Sequence, residues 1–459
     1  MQKRTIFMMA DGDMPFNGFC ALSSLLKYEK RYKLVIICEK VKDIKGKMIK
    51  YGVSAEDVEI LVYDCGILKK YIPKVTGKSQ NINEENLHGR KQAGKLRSIY
   101  ERKCKDMHYS MPYLIWRTAK ELIRLKREEK IAKSIFSKYK PEILLLSTDR
   151  NIGLVQSMIY TAKIQNVPRV IAPTTSVALI ENLMNMRYGK KECEVDVQHP
   201  DSKRFIEKIN SDWVLEYKGK KYIFYQPWVA FAGWILRRVS LNPWIVGGGD
   251  ATMVAVSRQE DYKELLRLCR DDSMKKKYIL TQGVEDSLVR ESFINRESVR
   301  KMIAEKYGIE EENIVIFALP QMYEHQMASW EVCRYNIIKI IDNIMSHNVC
   351  LLVSLHPKME RSMYSYLEKM ERVHILDEAL SSVIGIADLF VVLEECSTKK
   401  WAEQIGIDIV SFKVRDFCQI MDERVIKENV SITQSIRASE ADKGCLEKDF
   451  CEVLEELLG

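Results

Sequence analysis

Apolar residues in this chain come in short dense runs, separated by turn-rich polar stretches and by longer segments with helical spacing. The run Arg4 to Ala10 reads as a strand and leads into Asp11-Gly12-Asp13-Met14-Pro15-Phe16-Asn17-Gly18, a turn-rich loop. A helix is expected from Phe19 to Tyr28, and strands from Lys33 to Cys38 and from Val58 to Tyr63, a βαβαβ opening. From Tyr113 to Tyr139 the residues Leu114, Ala119, Leu122, Ile123, Ile131 and Ile135 recur at helical spacing. A strand Ile143 to Ser147, the polar Thr148-Asp149-Arg150-Asn151, a helix Gly153 to Gln165 and a strand Arg169 to Ala172 follow. Alternation of this kind predicts a parallel sheet with right-handed crossovers.

The rhythm breaks between about 176 and 245. Trp213 to Ile223 reads as a hairpin with Lys218-Gly219 at its turn. Phe224 to Arg238 is aromatic and apolar and ends in two arginines; it is too short to span a bilayer, and suits either an inter-domain core or a membrane interface with Arg237 and Arg238 at headgroup level. Gly247-Gly248-Gly249 is the expected hinge, and its exposed N–H groups could nest a phosphate around Gly248. A second alternation then begins with strands Thr252 to Ser257 and Tyr278 to Thr281 around a helix Gln259 to Arg270. A charged helical segment Arg290 to Tyr307, a strand Asn313 to Leu319 and a helix Trp330 to Met345 lead to the densest pattern in the chain. There an apolar run from Cys350 ends in Leu355-His356-Pro357-Lys358, and a second, Asp388 to Leu393, runs into Glu394-Glu395-Cys396-Ser397-Thr398. A helix with Trp401-Ala402-Glu403 and a strand Ile407 to Phe412 close it, and Ala441 to Leu458 has helical spacing again. The expected fold class is α/β, two Rossmann-like domains with parallel sheets facing a cleft. The expected divisions are an N-terminal domain 1–175, an insertion 176–245, a C-terminal domain 246–435, and a terminal helix 436–459 that crosses back to the first domain.

Composition narrows the class. With 459 residues, 46% of them apolar and 30% charged, the chain is globular and long enough for two or three domains. Asp11 and Asp13 cut short the apolar N-terminal run, so a signal peptide is not expected, and no apolar run reaches transmembrane length. The twelve cysteines form no Cys-x-x-Cys pair, which points away from a zinc site or disulfide framework and toward a reducing cytoplasm. Net charge is +8, yet Leu68 to Lys140 alone holds 20 Lys/Arg against 7 Asp/Glu. No nucleic-acid motif accompanies that surplus. It reads either as solvated helix faces or as contact with an anionic partner, membrane lipid or a charged glycan.

The chemistry-bearing residues sit just after strands, where open parallel sheets bind ligands. His356 can give a charge-assisted hydrogen bond to a phosphate. Ser397 and Thr398 stand at a helix start, where they either cap the helix or bind the same phosphate. Glu403 on that helix could reach a ribose. Glu324 and His325, in the loop after Asn313–Leu319, could place a sugar or move a proton. Asp11 and Asp13 are the candidate proton acceptors of the first domain, with Asp149-Arg150 beside them in the chain order of strand ends.

With His356-Pro357 and Ser397-Thr398 in this order, the stretch Cys350 to Phe412 resembles the C-terminal half of the GT-B glycosyltransferases. It is most similar to bacterial sialyl- and polysialyltransferases and related makers of surface polysaccharide, whose His-Pro and Ser-Ser/Thr motifs grip the donor phosphate. The resemblance implies a metal-independent inverting transfer from a CMP- or UDP-sugar to a glycan or lipid-linked acceptor, in surface polysaccharide or capsule synthesis. It implies Asp11 or Asp13 as base, a donor site in 246–435 and no cofactor or metal. Asp11-Gly12-Asp13 departs from the Asp/Glu-Asp/Glu-Gly order of those families. Two alternatives stand beside it: a UDP-N-acetylhexosamine 2-epimerase, whose acidic-basic pair Asp149-Arg150 resembles, and a non-catalytic binding protein on the same fold. The expected location is cytoplasmic, with peripheral contact to the inner face of the membrane.

Overall fold

In the computed structural model the described residues are 3–27, 29, 31–39, 41–64, 66–71, 111–174, 179–185, 187–188, 190–197, 200–269, 271–310, 313–356, 359–394, 396, 398–429 and 449–458. Pro357, Ser397 and the part of the basic segment from 72 to 110 lie outside them. The chain divides into two compact units, one of residues 1–45, 54–283 and 448–459, the other of 46–53 and 284–447.

The first unit is built on an eight-stranded sheet. Its strands are β1 (Arg4–Ala10), β2 (Tyr32–Glu39), β3 (Val58–Asp64), β4 (Ile67–Lys70), β5 (Ile143–Leu146) and β6 (Arg169–Ile171). After a separate hairpin of β7 (Val214–Tyr217) and β8 (Lys220–Ile223) come β9 (Met253–Val256) and β10 (Tyr278–Leu280). The order is β10-β9-β6-β5-β1-β2-β3-β4, parallel throughout except the β3–β4 edge. The central strands are buried on both faces, which is why β1 and β5 read as unbroken apolar runs rather than alternations. Chain direction across the sheet reverses between β1 and β5. The hairpin turns at Lys218 and Gly219, both at positive φ, as the sequence predicts.

The expected boundary near residue 246 is corrected by this sheet. β9 pairs in parallel with β6, and the Thr252 hydroxyl donates to the Arg169 carbonyl while the Arg169 amide donates to that hydroxyl, both at 2.9 Å. Val254 and Val256 lie in the first unit's core. A short apolar run states that a strand is buried; it does not state in which sheet. The helix Phe450–Leu458 also belongs to the first unit, where Arg31 pairs with Glu455 and Arg4 donates to the Leu458 carbonyl.

The aromatic stretch forms a helix, Pro227–Leu236, packed in the first unit along the helix Met111–Tyr139. Arg238 does not reach a surface. It is 3% exposed, lies over the Tyr160 ring and pairs with Glu129 at 3.3 Å. Lys133 and Lys126 bind the same carboxylate at 2.7 and 3.2 Å. Led by Lys133, these partners hold Glu129 down at about 2, against the opposing effect of burial. An acid depressed in the folded state contributes stability above its unfolded value of about 4.5 and loses it as pH falls toward 2. Allowing for the exposed lysines, Glu129 should contribute about 1–2 kcal/mol at neutral pH. Urea midpoints followed from pH 5 downward should therefore fall less steeply for Glu129→Gln than for the native chain; parallel profiles would remove this cluster as a source of acid sensitivity.

The second unit has a five-stranded parallel sheet of β11 (Ile314–Ala318), β12 (Cys350–Ser354), β13 (Val373–Ile375), β14 (Leu389–Leu393) and β15 (Asp408–Phe412), in the order β13-β12-β11-β14-β15. One apolar cluster covers each face. The helix Trp330–Met345 has the predicted ends, with the Val332 amide donating to the Ser329 hydroxyl at its start. The charged segment is two helices, Val284–Ile294 and Arg296–Tyr307, separated at Asn295. The α/β class with two parallel-sheet units is thus the observed one. Among the described residues no helix is long and apolar enough to cross a membrane.

Candidate functional site

In the second sheet the chain runs from β11 outward through β12 to β13, then returns to the other side of β11 for β14 and β15. Loops after β11 and β14 therefore diverge at the carboxyl edge and leave a crevice, the position where open α/β sheets take ligands. A cavity of about 420 Å³ lies there, a size suited to a small organic ligand. Leu319 to Met322 line it after β11, Leu355 and His356 after β12, Cys396 and Thr398 after β14, and Val414 after β15.

His356 is half-buried two residues beyond β12, and its carbonyl accepts from the Met359 amide at 2.8 Å. Thr398 lines the same cavity; its hydroxyl lies 3.1 Å from the Cys396 thiol and does not cap the following helix, Lys399–Ile405. His325 also lines the cavity, 3.0 Å from the Gln321 side-chain oxygen. Three expected residues part from this group. Glu324 turns away to accept from the Tyr364 hydroxyl at 2.8 Å. Glu403 is 54% exposed beside Lys399, one turn back on its short helix, and faces solvent. Gly248 belongs to the first unit altogether.

Sequence reasoning missed the cavity's most polar wall. Lys50 and Tyr51, from the segment 46–53 that joins the second unit, line it together with Glu285 and Ser381. The Lys50 carbonyl accepts from the Ala379 amide at 2.8 Å, and the Tyr51 hydroxyl donates to Glu285 at 2.8 Å. Burial pushes the Glu285 carboxyl up, opposed by Ser381, Tyr51 and Lys50, and it pushes the Lys50 ammonium down, opposed by Glu285. An ammonium and an imidazole thus share a cavity with a carboxylate, a set that can hold an anion and a hydroxyl-bearing group together. No local signal marks Lys50, since its partner is more than 200 residues away.

The glycine run does not form a phosphate nest. The Gly247 and Gly249 amides donate to the two oxygens of Asp149 at 3.0 and 2.9 Å, and Asp149 is fully buried. Burial pushes its carboxyl above the ordinary 3.8, against the pull of the Gly247 amide and of Arg150. Arg150, 5% exposed, is in turn pushed down by burial to about 10. The loop needs glycine for its approach: Gly247 has φ +80°, and a Cβ on Gly248 would meet the Asn242 carbonyl at 2.1 Å. Asp149-Arg150 is therefore a structural lock, not the open acidic-basic pair that its likeness to the epimerases suggests.

Asp11 stands at the direction reversal of the first sheet, just past β1. Its carboxylate accepts from the Ser147 hydroxyl at 2.7 Å and from the Asn151 amide. Asp13 opens the helix Asp13–Leu26 and accepts from the Lys42 amide at 2.9 Å. Asp11 thus has the strand-end position expected of a reacting carboxylate, and Asp13 orders a neighbouring loop.

No protein-family model matches this chain, and no curated protein matches it in sequence. Among solved structures it is similar to UDP-GlcNAc 2-epimerase from Methanocaldococcus jannaschii at 9% identity and TM-score 0.43, covering 95% of this chain and 94% of that one. The enzyme of that name from Neisseria meningitidis, bound to UDP-GlcNAc, gives 9% and 0.41 over 90% and 84%. Anabaena HepE in complex with UDP and glucose gives 10% and 0.41 over 99% and 98%. Superpositions this loose bear on neither the fold nor the activity.

Proposed function

We propose that the chain is a GT-B type glycosyltransferase that takes a nucleotide-activated sugar, a CMP- or UDP-sugar, in the second unit's cavity and serves surface-polysaccharide assembly. The observation that carries this reading is the convergence of His356, Lys50, Thr398 and Glu285 on one cavity at the reversal point of a parallel sheet. His356 and Lys50 would offset the charge growing on the departing nucleotide phosphate, and Glu285 would accept from a ribose or sugar hydroxyl. Asp11 is assigned the acceptor hydroxyl's proton. With Asp149-Arg150 committed to the glycine loop, the residues that favoured an epimerase no longer do so.

Thermal unfolding with a panel of nucleotides tests the reading, because a ligand of the native state raises the melting temperature. UDP or CMP should raise it, and the matching sugar nucleotide should then lose its sugar only when a glycan acceptor is added. Sugar inversion without acceptor would replace the proposal with an epimerase, and indifference to every nucleotide would end it. Asp11→Asn should lower turnover by about 100-fold or more at saturating donor, the usual contribution of a general base, with nucleotide affinity unchanged. Asp13→Asn should turn over normally; the reverse pattern would move the base to Asp13. Peripheral membrane contact belongs to the same proposal. Trp234 and Ile235, each about half exposed, are the apolar surface left to the aromatic stretch. Flotation should then require anionic vesicles and weaken with salt, and failure to float at low salt would withdraw it.

A further inference from the structure

The first unit has a cavity of its own, about 690 Å³, at the carboxyl ends of β2 and β3 and along the helix Met111–Tyr139. It shares no residue with the second unit's cavity, and Asp11 does not line it. Glu39 and Asp64, the last residues of the two strands, form one side, with Val62 and Tyr63 beside them. The helix supplies Arg117, Lys120, Arg124 and Arg127 at spacings of three, four and three, and Glu128 four residues beyond Arg124, which keeps them on one side of the helix.

Glu128 is the unusual member. It is 0% exposed, the most deeply buried acid of the helix, and its one ion pair, to Arg124, engages a single oxygen. The Tyr63 hydroxyl and the Arg124 guanidinium both donate to the same oxygen, at 2.8 and 3.0 Å. The other oxygen is buried without a hydrogen-bond partner among the described residues. Leaving such an atom unsatisfied costs about 1–3 kcal/mol, and a native structure that keeps one invites a ligand explanation. Burial raises the carboxyl's pKa, opposed by Arg124 and Tyr63. A ligand hydroxyl suits either protonation state, because it can both donate and accept.

The cations are placed differently. Arg124 is committed to Glu121 and Glu128. Arg117 lies over the Trp228 ring at 4.8 Å and Lys120 over Trp116 at 5.5 Å. Among the described residues, Arg117, Lys120 and Arg127 have no carboxylate within ion-pair distance. The cavity therefore offers carboxylates at the strand ends and, along the helix, three cations that pair with no carboxylate among the described residues. Val62 and Ile123 add an apolar patch for a ring's C–H face.

We propose that this cavity is a binding site for a small polyhydroxylated anion, a sugar acid or a sugar phosphate, with a hydroxyl on Glu128 and its acidic group on Lys120 and Arg127. The proposal does not rest on the nucleotide reading of the second unit. Calorimetry on the full chain with glucuronate, glucose 6-phosphate and glucose tests it. At least one of the anionic sugars should bind about tenfold or more tighter than glucose, and which one binds separates carboxylate from phosphate. Lys120→Ala and Arg127→Ala, both at exposed positions, should each weaken that binding about tenfold and flatten its salt dependence. Glu128→Gln should weaken it comparably, while His356→Ala should leave it unchanged. If neither anionic sugar binds at about 10 mM, beyond the millimolar range of weak specific sites, the site is not what we propose. Equal binding of glucose, or full affinity in both Lys120→Ala and Arg127→Ala, would likewise overturn it.

Discussion

Asp149→Ala should destabilise the first unit by about 3–5 kcal/mol, the cost of leaving two amides without their acceptor and a buried arginine without a nearby opposite charge. Three effects act together in this variant. The Gly247 and Gly249 amides lose the two oxygens that hold them at 3.0 and 2.9 Å. Arg150 keeps its buried position without the neighbouring carboxylate that supports its charge. The glycine loop loses its anchor beside β9, although the Tyr278 hydroxyl still donates to the Val246 carbonyl at 2.6 Å. Five of the seven tryptophans, including the buried Trp213 and Trp244, lie in the first unit, so intrinsic fluorescence reports its unfolding in urea. The nucleotide affinity proposed for the second unit's cavity should be unchanged under native conditions. A loss below about 1 kcal/mol, within the range of ordinary surface substitutions and mild ones, would mean that the carboxylate is not the loop's anchor.

His356→Ala should lose about 1.5–3 kcal/mol of nucleotide affinity, roughly 10- to 100-fold in Kd, the value of a hydrogen bond to a charged group. Stability should change little, because His356 is only half-buried at a strand end and the bond from the Met359 amide to its backbone carbonyl does not need the imidazole. Lys50→Ala is the informative companion. Lys50 and His356 line the same cavity from different segments. If both meet the phosphate, each loss should be substantial and the double variant should depart from additivity. Unchanged affinity in His356→Ala with a large loss in Lys50→Ala would transfer the phosphate role to the lysine. Unchanged affinity in both would remove the cavity from nucleotide binding.

What could be read along the chain follows from locality. β1, β5, β12 and β14 are runs whose every side chain is apolar or nearly so, and a strand buried on both faces has no other composition open to it. The helix Trp330–Met345 carries its own start signal in Ser329, and the Lys218-Gly219 turn carries its own φ requirement. His356, Thr398 and Asp11 could be singled out because strand ends of a parallel sheet bind ligands whatever the sequence between them. These features depend on neighbours within a few positions.

Tertiary structure alone decided the rest. β9 and β10 have the same apolar pattern as the strands of the second unit, and only the pairing of β9 with β6, and of β10 with β9, assigns them to the first. Gly247-Gly248-Gly249 reads equally as a phosphate nest or as a close turn, and the choice lies with Asp149, about 100 positions earlier, whose side chain takes the amides. Glu324 and His325 are adjacent in sequence, yet one is tied to Tyr364 and the other lines the cavity, because successive loop side chains leave the backbone in different directions. Lys50 and Glu285 become cavity partners only when a segment from the chain's first eighth joins a unit built from its second half. Sequence pattern fixes which faces must be buried; which buried face meets which, and hence which polar groups share a cavity, is settled by packing among residues far apart in the chain.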